Sequence, residues 1–110
     1  MIFKVIISAQ AENDLRGIFE YIAFELLSPG NAEKQLDHLE KQILTLDELP
    51  ERFPRYGKEP WYSRGLRFAS IDNYIVFYIP DIEEQTVTIL RVMYSGRKIE
   101  EQLSMTYMVY

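Results

Sequence analysis

Apolar and polar positions divide the chain into a helical first half and an extended second half. Residues 2–7, IFKVII, are almost unbroken in apolar side chains, the pattern of a buried strand. Ser8 then offers an N-cap, with Glu12 and Asp14 in the first turns, where the helix dipole favours acids. Ala11, Leu15, Ile18, Phe19, Ile22 and Leu26 recur at three- and four-residue steps and predict one buried stripe. Gly17 lies inside that helix at a cost of about 1 kcal/mol against alanine. Ser28-Pro29-Gly30 ends it, and Asn31 caps a second helix predicted from Ala32 to Leu49, with Leu36, Leu39, Ile43 and Leu46 inward. Pro50 stops the second helix. So short a turn makes the pair an antiparallel hairpin.

The periodicity then changes to two. Three strands are predicted, Gly65 to Ile71, Tyr74 to Ile79 and Thr86 to Tyr94, rich in β-branched and aromatic residues. Asp72-Asn73, Pro80-Asp81 and Ser95-Gly96 break them. Strict alternation in the last strand sets Val87, Ile89, Arg91 and Met93 on one face, and Thr88, Leu90, Val92 and Tyr94 on the other. An arginine in mid-strand needs either solvent or an anion. Between hairpin and strands, residues 50–63 read as a loop holding three of the five prolines. Arg97 to Leu103 form a short terminal helix, and 104–110 an apolar tail. The order β-α-α-β-β-β, with a short C-terminal helix, predicts an α+β fold. In it the N-terminal strand joins a mostly antiparallel sheet and the αα-hairpin packs on one face.

Composition narrows the function. At 110 residues and 47% hydrophobic, residues 1–110 are one globular domain. The absence of cysteine excludes a disulfide framework and a thiolate nucleophile. No stretch has the pattern of a signal peptide or a membrane span, so a cytoplasmic location is expected. One histidine, His38 in mid-helix, and acids that fall in adjacent pairs (Glu83-Glu84, Glu100-Glu101) suggest no metal site, and no cofactor is expected. A net charge of −5 argues against general nucleic-acid binding, yet residues 52–67 carry five bases against the single acid Glu59. Arginine, lysine and aromatic residues alternate there, a mixture able to stack on bases and touch phosphates.

Three patterns then occur together. The first is Ala11-Glu12-Asn13-Asp14-Leu15-Arg16-Gly17-Ile18-Phe19-Glu20-Tyr21-Ile22, of the form A-x-x-D-L-x-x-I-x-x-Y-I. The second is Pro29-Gly30-Asn31-Ala32 at the helical turn. The third joins Gly65-Leu66-Arg67, Asn73-Tyr74-Ile75-Val76-Phe77-Tyr78 and Ile89-Leu90-Arg91-Val92-Met93-Tyr94, with Arg97 beyond. In this order the chain resembles the RelE/ParE superfamily, the toxins of bacterial type II toxin–antitoxin modules, over about residues 3–103. The resemblance implies a toxin silenced by an antitoxin whose C-terminal segment wraps it. Its first reading is a RelE-like, ribosome-dependent mRNA endonuclease. The alternatives are a ParE-like, non-catalytic inhibitor of DNA gyrase, and a toxin fold that only binds its antitoxin.

Cutting RNA through its own 2′-hydroxyl needs a base, cations for the charge on phosphorus and a donor for the leaving oxygen. On the resemblance, Arg67 and Arg91 are the cations that could fork together onto one phosphate, and Tyr94 the donor or stacking ring. Glu59 is the candidate base, and Lys58, Arg64 and Arg97 the phosphate-binding residues. Each also has a plainer reading: strand arginines paired with Glu59 or Asp72, an aromatic at a sheet edge, a solvated loop acid. His38 falls on the helical side, away from such a cleft.

Overall fold

The computed structural model describes residues 2–96 and 98–106. Its elements are β1 (Lys4–Ile7), α1 (Ala9–Glu20), a π-helical turn (Tyr21–Glu25), α2 (Pro29–Leu44), β2 (Arg67–Ile71), β3 (Tyr74–Asp81), β4 (Thr86–Tyr94) and α3 (Ile99–Ser104). The sheet order is β1-β4-β3-β2, with β1 parallel to β4 and the remaining pairs antiparallel. This is the α+β architecture expected. Arg97 and the tail residues 107–110 lie outside the described residues.

Ser8 closes β1 and opens α1. Its backbone N–H donates to Ile89 O at 3.0 Å, and its hydroxyl oxygen accepts from Ala11 N at 3.1 Å. The strand before it is not the buried strand its composition suggests. It is an edge strand whose burial alternates: Val5 and Ile7 pack against the core, and Lys4 and Ile6, with Ile2 before them, are exposed on the face that is left uncovered. One face of the sheet carries the main core, in which Leu15, Leu39, Ile43 and Leu46 from the hairpin meet Val76, Tyr78, Ile89 and Val92. The opposite face has its own cluster, Trp61, Leu66, Phe77, Leu90, Met93 and Leu103, roofed by the long loop and α3. Both faces are covered.

Two departures from simple periodicity matter. The π turn at Tyr21–Glu25 adds a residue to one helical turn, so Ala23 is buried and Leu26, expected inward, is 55% exposed. The second helix begins at Pro29 and not at Ala32: proline suits a first-turn position, Ser28 is the cap, and Asn31 donates its side-chain amide to Ser28 Oγ at 2.8 Å. It ends at Leu44, and Thr45–Asp47 continue as a 3-10 turn. In β4, Ile89 pairs with Tyr78 but Arg91 pairs with Phe77, which leaves Leu90 as an extra, bulged residue. The bulge reverses the alternation. Val87, Ile89 and Val92 share the helical face, and Leu90 and Met93 the other.

Candidate functional site

β1 ends four residues after it begins pairing with β4, so among the described residues no strand pairs with the outer side of residues 90–94 of β4, and α1 runs beside them. Asp14, one and a half turns into α1, reaches that edge. Its carboxylate accepts from Arg91 Nε at 2.7 Å, from Arg91 Nη2 at 3.0 Å and from the Val92 backbone N–H at 2.9 Å. The rest of the guanidinium turns to the C-terminal segment, donating to Gln102 O at 2.9 Å and to Thr106 Oγ1 at 3.2 Å. Both side chains are nearly buried, 8% and 15% exposed. A desolvated, bidentate pair of this kind is satisfied on every side.

Arg67 is spent in a different place. Its Nη1 donates to Phe53 O at 2.6 Å and Glu51 O at 3.0 Å, and the Glu51 carboxylate lies 3.6 Å from Nη2. Beside it the Tyr78 hydroxyl donates to Pro50 O at 2.6 Å. Together they tie down the start of the long loop, and burial pushes the Tyr78 phenol up to about 12. Arg67 pairs with Tyr78 and Arg91 with Phe77, its neighbour in β3. The Arg91 guanidinium thus sits at the β4 edge between α1 and the C-terminal segment, and that of Arg67 lies on β2 beside the long loop, with β3 between the two strands. The structure does not bring together the two cations expected to fork onto one phosphate. The bulge at Leu90 alone does not separate them; the carboxylate of Asp14 and the carbonyls of the loop hold each where it is.

Of the other expected cations, Arg64 and Lys58 are engaged within the chain, and Arg97 lies outside the described residues. Arg64 lies 5.1 Å from the centre of the Trp61 ring, and Arg55 4.2 Å from that of Tyr62. Lys58 forms an ion pair with Glu100 at the start of α3. Glu59 accepts from the Ser63 N–H at 2.8 Å and from the Ser63 hydroxyl, and these bonds hold its carboxyl below the usual range. That weakens it as a base. Nothing in the described residues brings Glu59 beside Arg67 or Arg91.

Tyr94 is half exposed at the end of that edge, its ring edge-on to Tyr74 at 5.8 Å. A Cβ on Gly96 would sit 2.8 Å from that ring, so glycine there leaves room for the tyrosine. Tyr94 and Arg91 do share a groove of about 750 Å³ along the edge, between α1 and the ends of β3 and β4, with Asp14, Tyr21, Tyr74 and Gln102 in its walls. Burial raises the Tyr74 phenol, and neighbouring Tyr94 adds to the shift. Because Val92 turns its N–H outward to Asp14, alternation turns the Tyr94 N–H the same way, into the groove. On the sheet's second face a cavity of about 520 Å³ has a floor of Tyr56, Phe68 and Phe77 and a rim of Lys98, Glu100 and Glu101. Tyr56 meets Phe68 and Phe77 edge-on at 6.5 and 5.8 Å, Phe68 and Phe77 are tilted against each other at 6.4 Å, and the floor is apolar.

His38 lines neither cavity: its Nδ1 lies 2.7 Å from Asp72 Oδ2, in the β2–β3 turn. Among the described residues there is no cluster of three or more histidines and acids able to hold a metal ion, and no helix is long and apolar enough to cross a membrane. The residue that sequence reasoning missed is Asp14. It stood inside the helical pattern, where its position near the N-terminus accounted for it; only the fold shows that it faces β4.

Residues 5–99 match the family described as the ParE toxin of type II toxin-antitoxin system, parDE. Solved structures share the fold at low identity. A chromosomal ParDE system from P. aeruginosa is 18% identical, with a TM-score of 0.71 over 84% of this chain and 96% of that one. The toxin–antitoxin complex RelBE2 from Mycobacterium tuberculosis gives 21%, 0.66, 88% and 95%. An E. coli RelE mutant in the free state gives 13%, 0.61, 93% and 93%. No curated protein matches the sequence.

Proposed function

The chain belongs to the ParE toxin family of type II toxin–antitoxin systems, and from that premise we propose that it arrests growth by binding DNA gyrase and cleaves no RNA. The observation that carries the reading is the Asp14–Arg91 pair. A cation committed to a nearly buried carboxylate cannot also meet a scissile phosphate without breaking a pair whose loss is costly. Arg67 is held by loop carbonyls on β2, two strands from β4, and Glu59 is bound to Ser63. A non-catalytic toxin needs none of these groups free. It needs a rigid surface, and internal use of the arginines supplies rigidity.

The partner that silences such a toxin is a cognate antitoxin, as the neighbouring ParDE and RelBE2 systems pair a toxin with one. The edge groove along residues 90–94, with an outward N–H at Tyr94, suits an extended segment of that antitoxin.

Two reactions run side by side test the reading. The purified chain is added to a gyrase supercoiling reaction and to a coupled translation reaction. Lost supercoiling with intact mRNA is the expected result. Truncated mRNA with normal supercoiling would return the chain to the nuclease reading.

A further inference from the structure

We propose that the tip of the helical hairpin, Tyr21 to Leu27, is the surface by which this chain grips its target, and that the target offers an apolar socket set in a basic protein surface. The inference rests on the binding-toxin reading above and deepens it by naming the contact. Tyr21, Phe24, Leu26 and Leu27 are 56%, 67%, 55% and 83% exposed, four large apolar side chains within seven residues. Two features put them outside. The π turn throws Leu26 out of the buried stripe, and Leu27 adopts φ of 52°, a left-handed backbone in which a leucine is strained and glycine or asparagine is not. A polar residue at Leu27 would suit both backbone and solvent better. Tyr21 and Leu26 also line the edge groove, but Phe24 and Leu27 do not, and nothing among the described residues covers them; a contiguous exposed apolar patch marks an interaction site.

Charge selects the occupant. Residues 17–33 contain three acids and no base, and residues 9–47 hold eight acids and three bases, so the chain's whole net charge of −5 sits on the hairpin. Glu20 and Glu25 flank the apolar tip. Nucleic acid and anionic membrane would be repelled, and two copies of the tip would repel each other. A second copy's aromatic cavity is a poor socket, because its rim carries two acids, Glu100 and Glu101, and its one base, Lys98, is already paired with Glu101. A protein face that itself binds an anionic polymer, with lysines and arginines around an apolar depression, is complementary on both counts.

The full chain tests this through three variants: Phe24→Ser with Leu27→Asn, Glu20→Lys with Glu25→Lys, and Leu27→Gly alone. Each is compared with wild type for urea midpoint, growth arrest on induction, and inhibition of gyrase supercoiling at two salt concentrations. The midpoints are expected to stay at or above wild type for the Leu27 variants, since the strained backbone is relieved. Half-inhibition is expected to need roughly tenfold more protein for either double variant, the effect of removing an apolar or charged anchor. Added salt should weaken wild type more than the charge-reversed variant. Folded variants that arrest growth as strongly as wild type would overturn the proposal and leave the gyrase reading intact. If wild type spares supercoiling, yet folded tip variants lose growth arrest, the tip stands and gyrase is the wrong target.

Discussion

Asp14 and Arg91, separated by 77 positions in the sequence, meet through two hydrogen bonds of 2.7 and 3.0 Å, and the same carboxylate also caps the Val92 N–H where the sheet edge would otherwise be open. One acid thus does three things: it neutralises a strand arginine, satisfies an edge amide and pins α1 to β4. Through Gln102 and Thr106 the arginine extends the link to the C-terminal segment. Arg91, expected from the sequence as a phosphate ligand, is tied within the fold to a carboxylate.

Breaking the tie from one side should therefore be far more damaging than removing both halves. Asp14→Ala is expected to cost about 3–5 kcal/mol, because a nearly buried guanidinium loses its counter-charge. Asp14→Leu combined with Arg91→Met should cost much less than the sum of the single changes. A double-mutant cycle by urea unfolding measures the coupling. Additive losses would show that the pair contributes nothing as a pair.

Tyr78 gives an alkaline signature. Its folded pKa of about 12 lies above the ordinary value of 10, so the neutral phenol is the form the fold favours. The associated stability is complete below pH 10 and is lost as pH rises towards 12, on the order of 2–3 kcal/mol by linkage. Tyr78→Phe should lack that part of the alkaline loss, and at neutral pH should cost about 1–3 kcal/mol by orphaning the Pro50 carbonyl. Parallel unfolding curves for the two proteins across pH 8–12, with no difference in slope, would count against this account.

At the acid end the group to watch is Asp72. Hydrogen bonds from Gln35 and His38 hold its carboxyl below the usual 3.8. A depressed pKa means stability present above the unfolded value and lost as pH falls below about 4. Asp72→Asn should therefore show a shallower fall in melting temperature between pH 5 and 2.5 than wild type does. An identical fall in both proteins would remove Asp72 from the acid response.

Gly17 should be improvable. It lies within α1, and a Cβ there would meet nothing within 4 Å. Gly17→Ala is expected to raise stability by about 0.5–1 kcal/mol, the helix-propensity difference, read as a higher melting temperature. Because Gly17 also lines the edge groove, a stabilised variant with weakened antitoxin binding would show that the missing methyl keeps that groove open.

Glu59 separates the two classes of toxin most simply. Its carboxylate is bound to Ser63, and its lowered pKa makes it a poor proton acceptor. Glu59→Gln is expected to arrest growth as strongly as wild type on induction. A variant that folds but no longer arrests growth would restore the general-base assignment.

Local pattern carried the fold a long way. The three-and-four spacing of Ala11, Leu15, Leu39 and Ile43, the cap at Ser8, and the Asp72-Asn73 break all gave elements close to those observed, because each depends on near neighbours in sequence. Alternation failed only where one inserted residue changed the phase: at the π turn, which turned Leu26 outward, and at Leu90, which reversed the strand. Neither insertion has a composition of its own.

The amino-acid string by itself determined a helical hairpin on a mostly antiparallel sheet, acidic on the hairpin, and without cysteine chemistry. Periodicity, capping and charge are sums over local choices, and they can be read in order. Only the tertiary structure decided what the cations do. Whether Arg91 faces a phosphate or a carboxylate depends on where Asp14 stands after the chain has crossed from β1 to β4. A burial that makes or breaks an ion pair is a property of the assembled interior.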